Sequence, residues 1–411
     1  MKINKHCFPN GLRLVHYEDT STQMVALNIV YDVGARDEHP EHTGFAHLFE
    51  HLMFGGSAHI PDYDTPLQLA GGENNAWTNN DITNYYLTVP KPNVETAFWL
   101  ESDRMLELAF SEQSLEVQRG VVMEEFKQRC LTQPYGDVGH LFRPLAFRVH
   151  PYRWPTIGKE LSHIEQATLD EVKSFFYRFY APNNAVLAVT GNISWDETVK
   201  LTEKWFAPIP RRDVPVRQLP QEPEQTQERR LTVERNVPLD ALFMGYHMCS
   251  REGVDYYAFD ILSDILSNGR SSRLNRRLVQ EQNIFSGIDA YISGTRDAGL
   301  LQISGKPAAG VSLEQAEAAV RKELEELQRS PVDGQELEKV KNKFESTQIF
   351  GNINYLNVAT NLAWFELTGK AEDIDLEVER YRSVTTEQLH TVAQRTFCES
   401  NSVVLYYKSD K

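Results

Sequence analysis

The residues with the clearest chemical capacity are His47, Glu50 and His51, in the run His47-Leu48-Phe49-Glu50-His51. Thr43 stands ahead of the run as a helix cap, and Gly55-Gly56 stands behind it as a stop. With no breaker between them, the spacing predicts a helix of roughly three turns. Residues four apart on a helix share one face, rotated by only about 40°. His47 and His51 can therefore offer imidazole nitrogens to a single ion. Glu50 falls beside that face, where a carboxylate can take a proton from a bound water. A chain with 12 histidines and 58 acidic residues produces such a five-residue run by chance often enough that the flanks must decide. Phe45, Ala46, Leu48, Phe49, Leu52, Met53 and Phe54 make the segment apolar nearly all round, so it is read as buried. Three ionisable side chains on a buried helix are costly unless something satisfies them. A metal ion, or water in a cleft, does so most simply.

A catalytic metal of this kind takes three protein ligands and keeps one position for water. The third must come from a separate element. A long helical zone from Val94 to Cys130 carries apolar residues at helical spacing, with Ser111 and Ser114 as caps dividing it. Within it, Glu124 and Glu125 are adjacent carboxylates about 100° apart on the helix. The pattern alone does not choose between them.

The elements that must hold these residues can be read in outline. Gly11 to Val15 and Val25 to Tyr31 are β-favouring runs, as are Asn75 to Thr78 and Asn84 to Val89 after the Gly71-Gly72 loop. Thr168-Leu169-Asp170-Glu171 opens a helix with a capping box and leads to a buried strand, Asn184 to Val189, ending at Gly191. Five prolines in residues 208–228 mark a linker. Beyond it the pattern recurs. Phe259 to Gly269 lies over Phe45 to Gly55, and Thr385 to Val403 over Thr168 to Val186. The near-equal offsets predict a duplicated α+β unit. In the second copy Ile261 and Ile265 stand for His47 and His51, so only the first can hold the metal. The expected organisation is 1–212 as the metal-binding domain, 213–228 as linker and 229–411 as its homologue. Each domain should be a mostly antiparallel sheet packed by helices on one side, the two facing each other across a cleft. Residues 312–330 read as an amphipathic helix whose charges form a solvated face.

Bulk properties narrow the function. At 411 residues the chain is too long for one core. A net charge of −16 argues against a nucleic-acid partner. The cysteines Cys7, Cys130, Cys249 and Cys398 are scattered without C-x-x-C spacing, so neither a thiolate zinc site nor a disulfide framework is suggested. No signal-peptide h-region and no 18-residue apolar run is present, so the expectation is a cytoplasmic protein without a membrane partner.

Several longer stretches carry a resemblance: GFAHLFEHLMFGGS, GGENNAWTNNDITNYYLTVP, RGVVMEEF, HPYRWPTIG and FYAPNNAVLAVTGN. Over essentially its whole length the chain resembles the pitrilysin, insulysin and mitochondrial processing peptidase family of zinc metallopeptidases, closest to its short two-domain members. The H-x-x-E-H order is that of inverzincins. The resemblance implies one Zn²⁺ per chain and peptide substrates. It implies Glu50 as the catalytic base and His47, His51 and Glu125 as metal ligands, Glu125 lying six residues after Arg119. It also implies a substrate-pairing edge strand at Asn75, Ala76 and Trp77. Two features depart from the family. Gln118 stands where many relatives have a second glutamate. The stretch Arg273 to Ser286 lacks the arginine and tyrosine seven apart that active members use to grip substrate. Some family peptidases split these parts between subunits, so a homodimer or a heterodimer with an Arg/Tyr-bearing partner is expected. The alternative is a non-catalytic binding or assembly subunit with a relict zinc site.

Overall fold

The computed structural model describes residues 1–410. Two sheets organise it. The first joins β1 (Ile3–Cys7), β2 (Arg13–Glu18), β3 (Met24–Tyr31), β4 (Glu73–Thr78), β5 (Thr83–Pro90) and β6 (Ala185–Gly191) in the order β1-β2-β6-β3-β5-β4. The second joins β7 (Arg229–Arg235), β8 (Ala241–His247), β9 (Phe285–Ile292), β10 (Leu300–Pro307) and β11 (Ser402–Ser409) in the order β7-β11-β8-β10-β9. Each sheet is antiparallel except for one parallel pair, β2 with β6 and β7 with β11. The strand order of the second sheet repeats that of the first without β1, as duplication predicts.

Along the chain the helices that matter are α1 (Phe45–Leu52), α2 (Val94–Leu106), α3 (Glu112–Phe126), α4 (Val138–Ala146) and α5 (Leu169–Phe179), followed by α6 (Tyr256–Ser267), α7 (Leu313–Arg329), α8 (Tyr355–Thr368) and α9 (Thr386–Thr396). Strand periodicity decides which of them meets which face. On β3, Leu27, Ile29 and Tyr31 join a core with α1, α2, α3 and α5, while Ala26 and Val30 point the other way. That opposite face is covered by Val358, Ala359, Leu362 and Ala363 of α8. In the second sheet Leu242, Met244 and Tyr246 pack on α6, α7 and α9. Its opposite face, with Val403 and Leu405, is covered by Phe142 and Ala146 of α4.

The two α+β units are thus present, but helices cover both faces of each sheet, not one. The reason is that both faces are apolar, and every strand residue of β6 is buried. The units also depart from the contiguous halves 1–212 and 229–411. One comprises Met1–Leu131, Trp154–Leu219 and Ile349–Leu376, and the other Thr132–Arg153, Pro220–Gln348 and the residues from Glu377 onward. Each half of the sequence lends one helical segment to the other's sheet. Residues 211–227 have no regular structure, as their prolines predict. They are nevertheless fixed at both ends. Arg217 donates to Asp32 Oδ2 at 2.8 Å, and Glu222 accepts the backbone N–H groups of Arg148, Val149 and His150 at 2.7–3.0 Å.

Candidate metal centre

α1 has eight residues, just over two turns, rather than the expected three. Its cap also differs from expectation. The N-cap is Gly44 at φ 89, and Thr43 caps nothing; its Oγ1 instead meets His163 Nδ1 at 2.8 Å and accepts Lys159 N–H at 2.8 Å. Gly44 lies so close to the 157–164 segment that a Cβ would sit 2.7 Å from Ile164 Cδ1. At the other end, Tyr85 Oη donates to the Phe49 carbonyl at 3.3 Å, and Ser114 Oγ on α3 to that of Gly55 at 3.3 Å. Behind it, buried Arg104 stacks over Phe54, Tyr63 and Tyr85 and pairs with buried Glu101.

α3 is capped by Ser111, whose side chain accepts Ser114 N–H at 3.0 Å. Leu115, Val122 and Phe126 are its buried residues. That rotation separates the adjacent carboxylates. Glu124 is exposed, while Glu125 turns inward toward α1. Glu125 Oε2 lies 3.5 Å from His47 Nε2 and 3.3 Å from His51 Nε2. One donor atom from each of the three residues lies within 4.8 Å of the others, a set able to hold a metal ion. The other Glu125 oxygen pairs with Arg129 at 2.9 Å. Arg129 stands in a π-helical segment, Lys127–Thr132, that continues α3, a widening often found at functional sites.

The electrostatics suit ligation. Burial pushes His47 down to about 4, so its imidazole stays neutral with a free lone pair near neutral pH. Its Nδ1 is buried without a hydrogen-bond partner. The hydrogen bond with His51 holds the Glu125 carboxyl below its usual range, keeping it ionised. Burial raises the Glu50 carboxyl, opposed by a hydrogen bond from the Thr78 side chain. Thr78 ends β4, so base and strand meet directly. β4 is an edge of the first sheet, pairing only with β5. On it Asn75 is exposed and Ala76 and Trp77 are half-buried, and the Ala76 N–H is held by its neighbour's Asn75 Oδ1 at 2.8 Å. Gln118 lies on α3 beside Gly55. Ile261 and Ile265, opposite numbers of the two histidines, are both buried in an apolar core.

Sequence reasoning missed Thr78 as a Glu50 partner, Arg129 as a Glu125 partner and the anchorage of α1. Thr78 lies in a recognised strand, but only the tertiary structure shows what its hydroxyl faces.

The order His47, Glu50, His51 follows the H-x-x-E-H motif of the inverzincins. Comparison with known proteins agrees. The family described as "Insulinase (Peptidase family M16)" matches residues 13–133, and "Peptidase M16 inactive domain" matches residues 166–344. The chain is 26% identical over 405 residues to the zinc protease PqqE of Helicobacter pylori, covering 97% of this chain and 91% of that one. It is 24% identical over 406 residues to the uncharacterized zinc protease YmxG of Bacillus subtilis, covering 98% of each. The crystal structure of a protease from Helicobacter pylori superposes with a TM-score of 0.94 at 26% identity, covering 99% of both chains. A peptidase M16 inactive domain from Pseudomonas fluorescens superposes at 0.91 with 16% identity over 100% of this chain and 99% of that one, a likeness of fold. This chain belongs to the M16 family, the pitrilysin and insulinase peptidases, in its short bacterial form.

Proposed function

We propose that the chain is the metal-bearing subunit of a zinc-dependent endopeptidase. The observation that carries the reading is the convergence of His47, His51 and Glu125 on one point with Glu50 beside it. Two nitrogen donors and one oxygen donor, with no fourth ligand among the described residues, fit a catalytic zinc, which needs an open position. Zinc held there would acidify a bound water and polarise a scissile carbonyl. The remaining chemistry belongs to the protein. The raised Glu50 carboxyl is suited to accept the water's proton and return it to the leaving amine. β4 offers an unpaired edge along which a peptide can add as a strand, at Asn75, Ala76 and Trp77. Backbone pairing tolerates many sequences, so the substrates are peptides or unfolded segments.

A second reading has an observation in its favour. In the stretch Arg273 to Ser286, Arg273 is paired with Glu336 at 2.7 Å and Arg277 with Glu323 at 2.6 Å, while exposed Arg276 approaches Glu281 at 3.7 Å. Two of the three arginines are thus tied to carboxylates and no tyrosine stands seven residues beyond any of them, which suits either a peptidase that borrows this function from a partner or a non-catalytic assembly subunit. Glu50→Gln separates the two. The peptidase reading expects unchanged zinc content and a loss of turnover of about 10²–10⁴-fold, measured with a quenched fluorescent peptide. Unchanged peptide cleavage in that variant, or wild-type protein that takes up no zinc, defeats the peptidase reading.

A further inference from the structure

The short helix α1 must aim two imidazoles at one point, yet it has no side-chain cap of its own. Its exposed first N–H groups are instead taken by a residue from another part of the chain. Glu38 Oε2 accepts the Gly44 N–H at 2.9 Å, and Glu38 Oε1 accepts the Ala46 N–H at 2.8 Å. Both oxygens are thus committed to the start of the helix, within the turn that leads into His47. Glu38 itself is only 6% exposed. Its surroundings hold it in place. The Trp154 indole N–H, which donates to the Ala35 carbonyl at 2.9 Å, also reaches the Glu38 carboxylate. Among the described residues no basic side chain hydrogen-bonds to it, and the nearby charge of Asp37 has the same sign.

From this geometry we infer that Glu38 is a positioning residue for the metal centre: its carboxylate fixes the start of α1 and so the direction in which His47 and His51 face. The inference rests on the metal-site reading above. It separates Glu38 from ordinary helix caps by its cost. Burial pushes the Glu38 carboxyl up to about 8, while the Ala46 and Gly44 N–H bonds pull it down. A carboxyl whose folded value exceeds its unfolded one removes stability as pH rises through that interval. Ionised Glu38 therefore carries a desolvation cost that an exposed helix cap does not, and the two N–H bonds offset part of it. A bidentate grip on two orphan donors, the N–H groups of Gly44 and Ala46, sets the helix axis more tightly than a single-atom cap. A ligand pair four residues apart converts any tilt of that axis into a displacement of both nitrogens.

The test uses the full chain and two variants, Glu38→Gln and Glu38→Ala. Glutamine keeps size and one acceptor but turns an NH₂ group toward an N–H donor. Three properties are read: zinc affinity by competition with a chelator, the visible absorption of the cobalt-substituted protein, and the Tm of the metal-free protein. The expected result is a zinc Kd raised by about 10- to 100-fold, the range for residues that orient metal ligands, with a changed cobalt spectrum. The metal-free Glu38→Gln protein keeps its Tm. If both variants bind zinc and give cobalt spectra like the wild type, the inference is overturned. It is equally overturned if zinc affinity falls only in step with the Tm of the metal-free protein in Glu38→Gln, since that is a folding defect. If the wild type itself takes up neither metal, the metal-site reading fails first.

Discussion

At the residue scale the decisive event is the choice between two neighbours. Glu124 and Glu125 have the same chemistry and differ by about 100° of rotation around α3. Burial of Leu115, Val122 and Phe126 fixes that rotation, turning Glu125 to the imidazoles and Glu124 to solvent. A paired test follows. Glu125→Gln should weaken zinc binding by more than about 100-fold, since even residues that merely orient ligands cost 10–100-fold. Glu124→Gln should stay within about twofold of wild type, because the exposed Glu124 side chain turns to solvent and accepts a bond from Gln128 at 3.4 Å. Isothermal titration of the metal-free proteins measures both, and equal losses in the two variants would show the assignment to be wrong. His47, Glu50 and His51 are legible in the sequence because all three sit on one short helix, where spacing alone implies geometry. Glu125 is not, since which face of α3 turns inward is settled by packing. The resemblance to the family supplied that choice. Glu38 leaves no local signal at all, because the donors it satisfies are six and eight residues away across a loop.

At the scale of elements, two features give separate predictions. The first is the free edge of β4. The Ala76 N–H bonds its neighbour's side chain, so it points away from the β5 ladder. Ala76→Pro removes this outward donor without removing a ladder bond, the placement proline tolerates in an edge strand. One backbone hydrogen bond is worth about 1 kcal/mol, so kcat/KM for a peptide should fall about fivefold with zinc content unchanged. An unaltered kcat/KM would remove Ala76 from the substrate path. The second feature is α7, whose charges were expected to form a solvated face. Glu317 and Glu323 are buried instead. Glu317 accepts from Arg230 on β7 at 2.9 Å, from Tyr406 on β11 at 2.5 Å and from Arg321 at 2.7 Å. Helical periodicity shows the apolar stripe of α7 but not the arginine waiting on another strand. Burial opposes ionisation of Glu317, but the bonds from Arg230, Tyr406 and Arg321 hold its carboxyl down to about 2, against 4.5 when free. A depressed folded value means stability that is complete above pH 4.5 and lost as pH falls toward 2. Glu317→Gln should cost about 2 kcal/mol at pH 7 and flatten the acid side of the stability curve. Urea unfolding at a series of pH values measures this. If the variant and wild type lose stability in parallel between pH 4.5 and 2, the network is not the source.

At the scale of the whole molecule, duplication was legible because two segments repeat at nearly one offset, and the second sheet repeats the strand order of the first. The exchange of helices was not. α4 and α8 each show an apolar face, which says that the helix is buried but not which sheet buries it. The same duplication bears on activity. The first copy keeps the ligands and the second fills their places with Ile261 and Ile265. The second copy also ties its arginines at 273 and 277 to Glu336 and Glu323, and no tyrosine stands seven residues beyond any arginine of that stretch. The transition state of peptide hydrolysis carries an oxyanion, and losing one donor to it costs about 10²–10³ in rate. The purified chain should therefore bind zinc normally yet cleave peptides about 10²–10³ times more slowly than when combined with a homologous subunit bearing an arginine and tyrosine seven residues apart. The comparison needs matched zinc content in both samples, so that a difference in rate reports the missing donor and not the metal. Full-speed cleavage by the chain alone, at a rate independent of added partner, would mean that this molecule finds its oxyanion donor within itself.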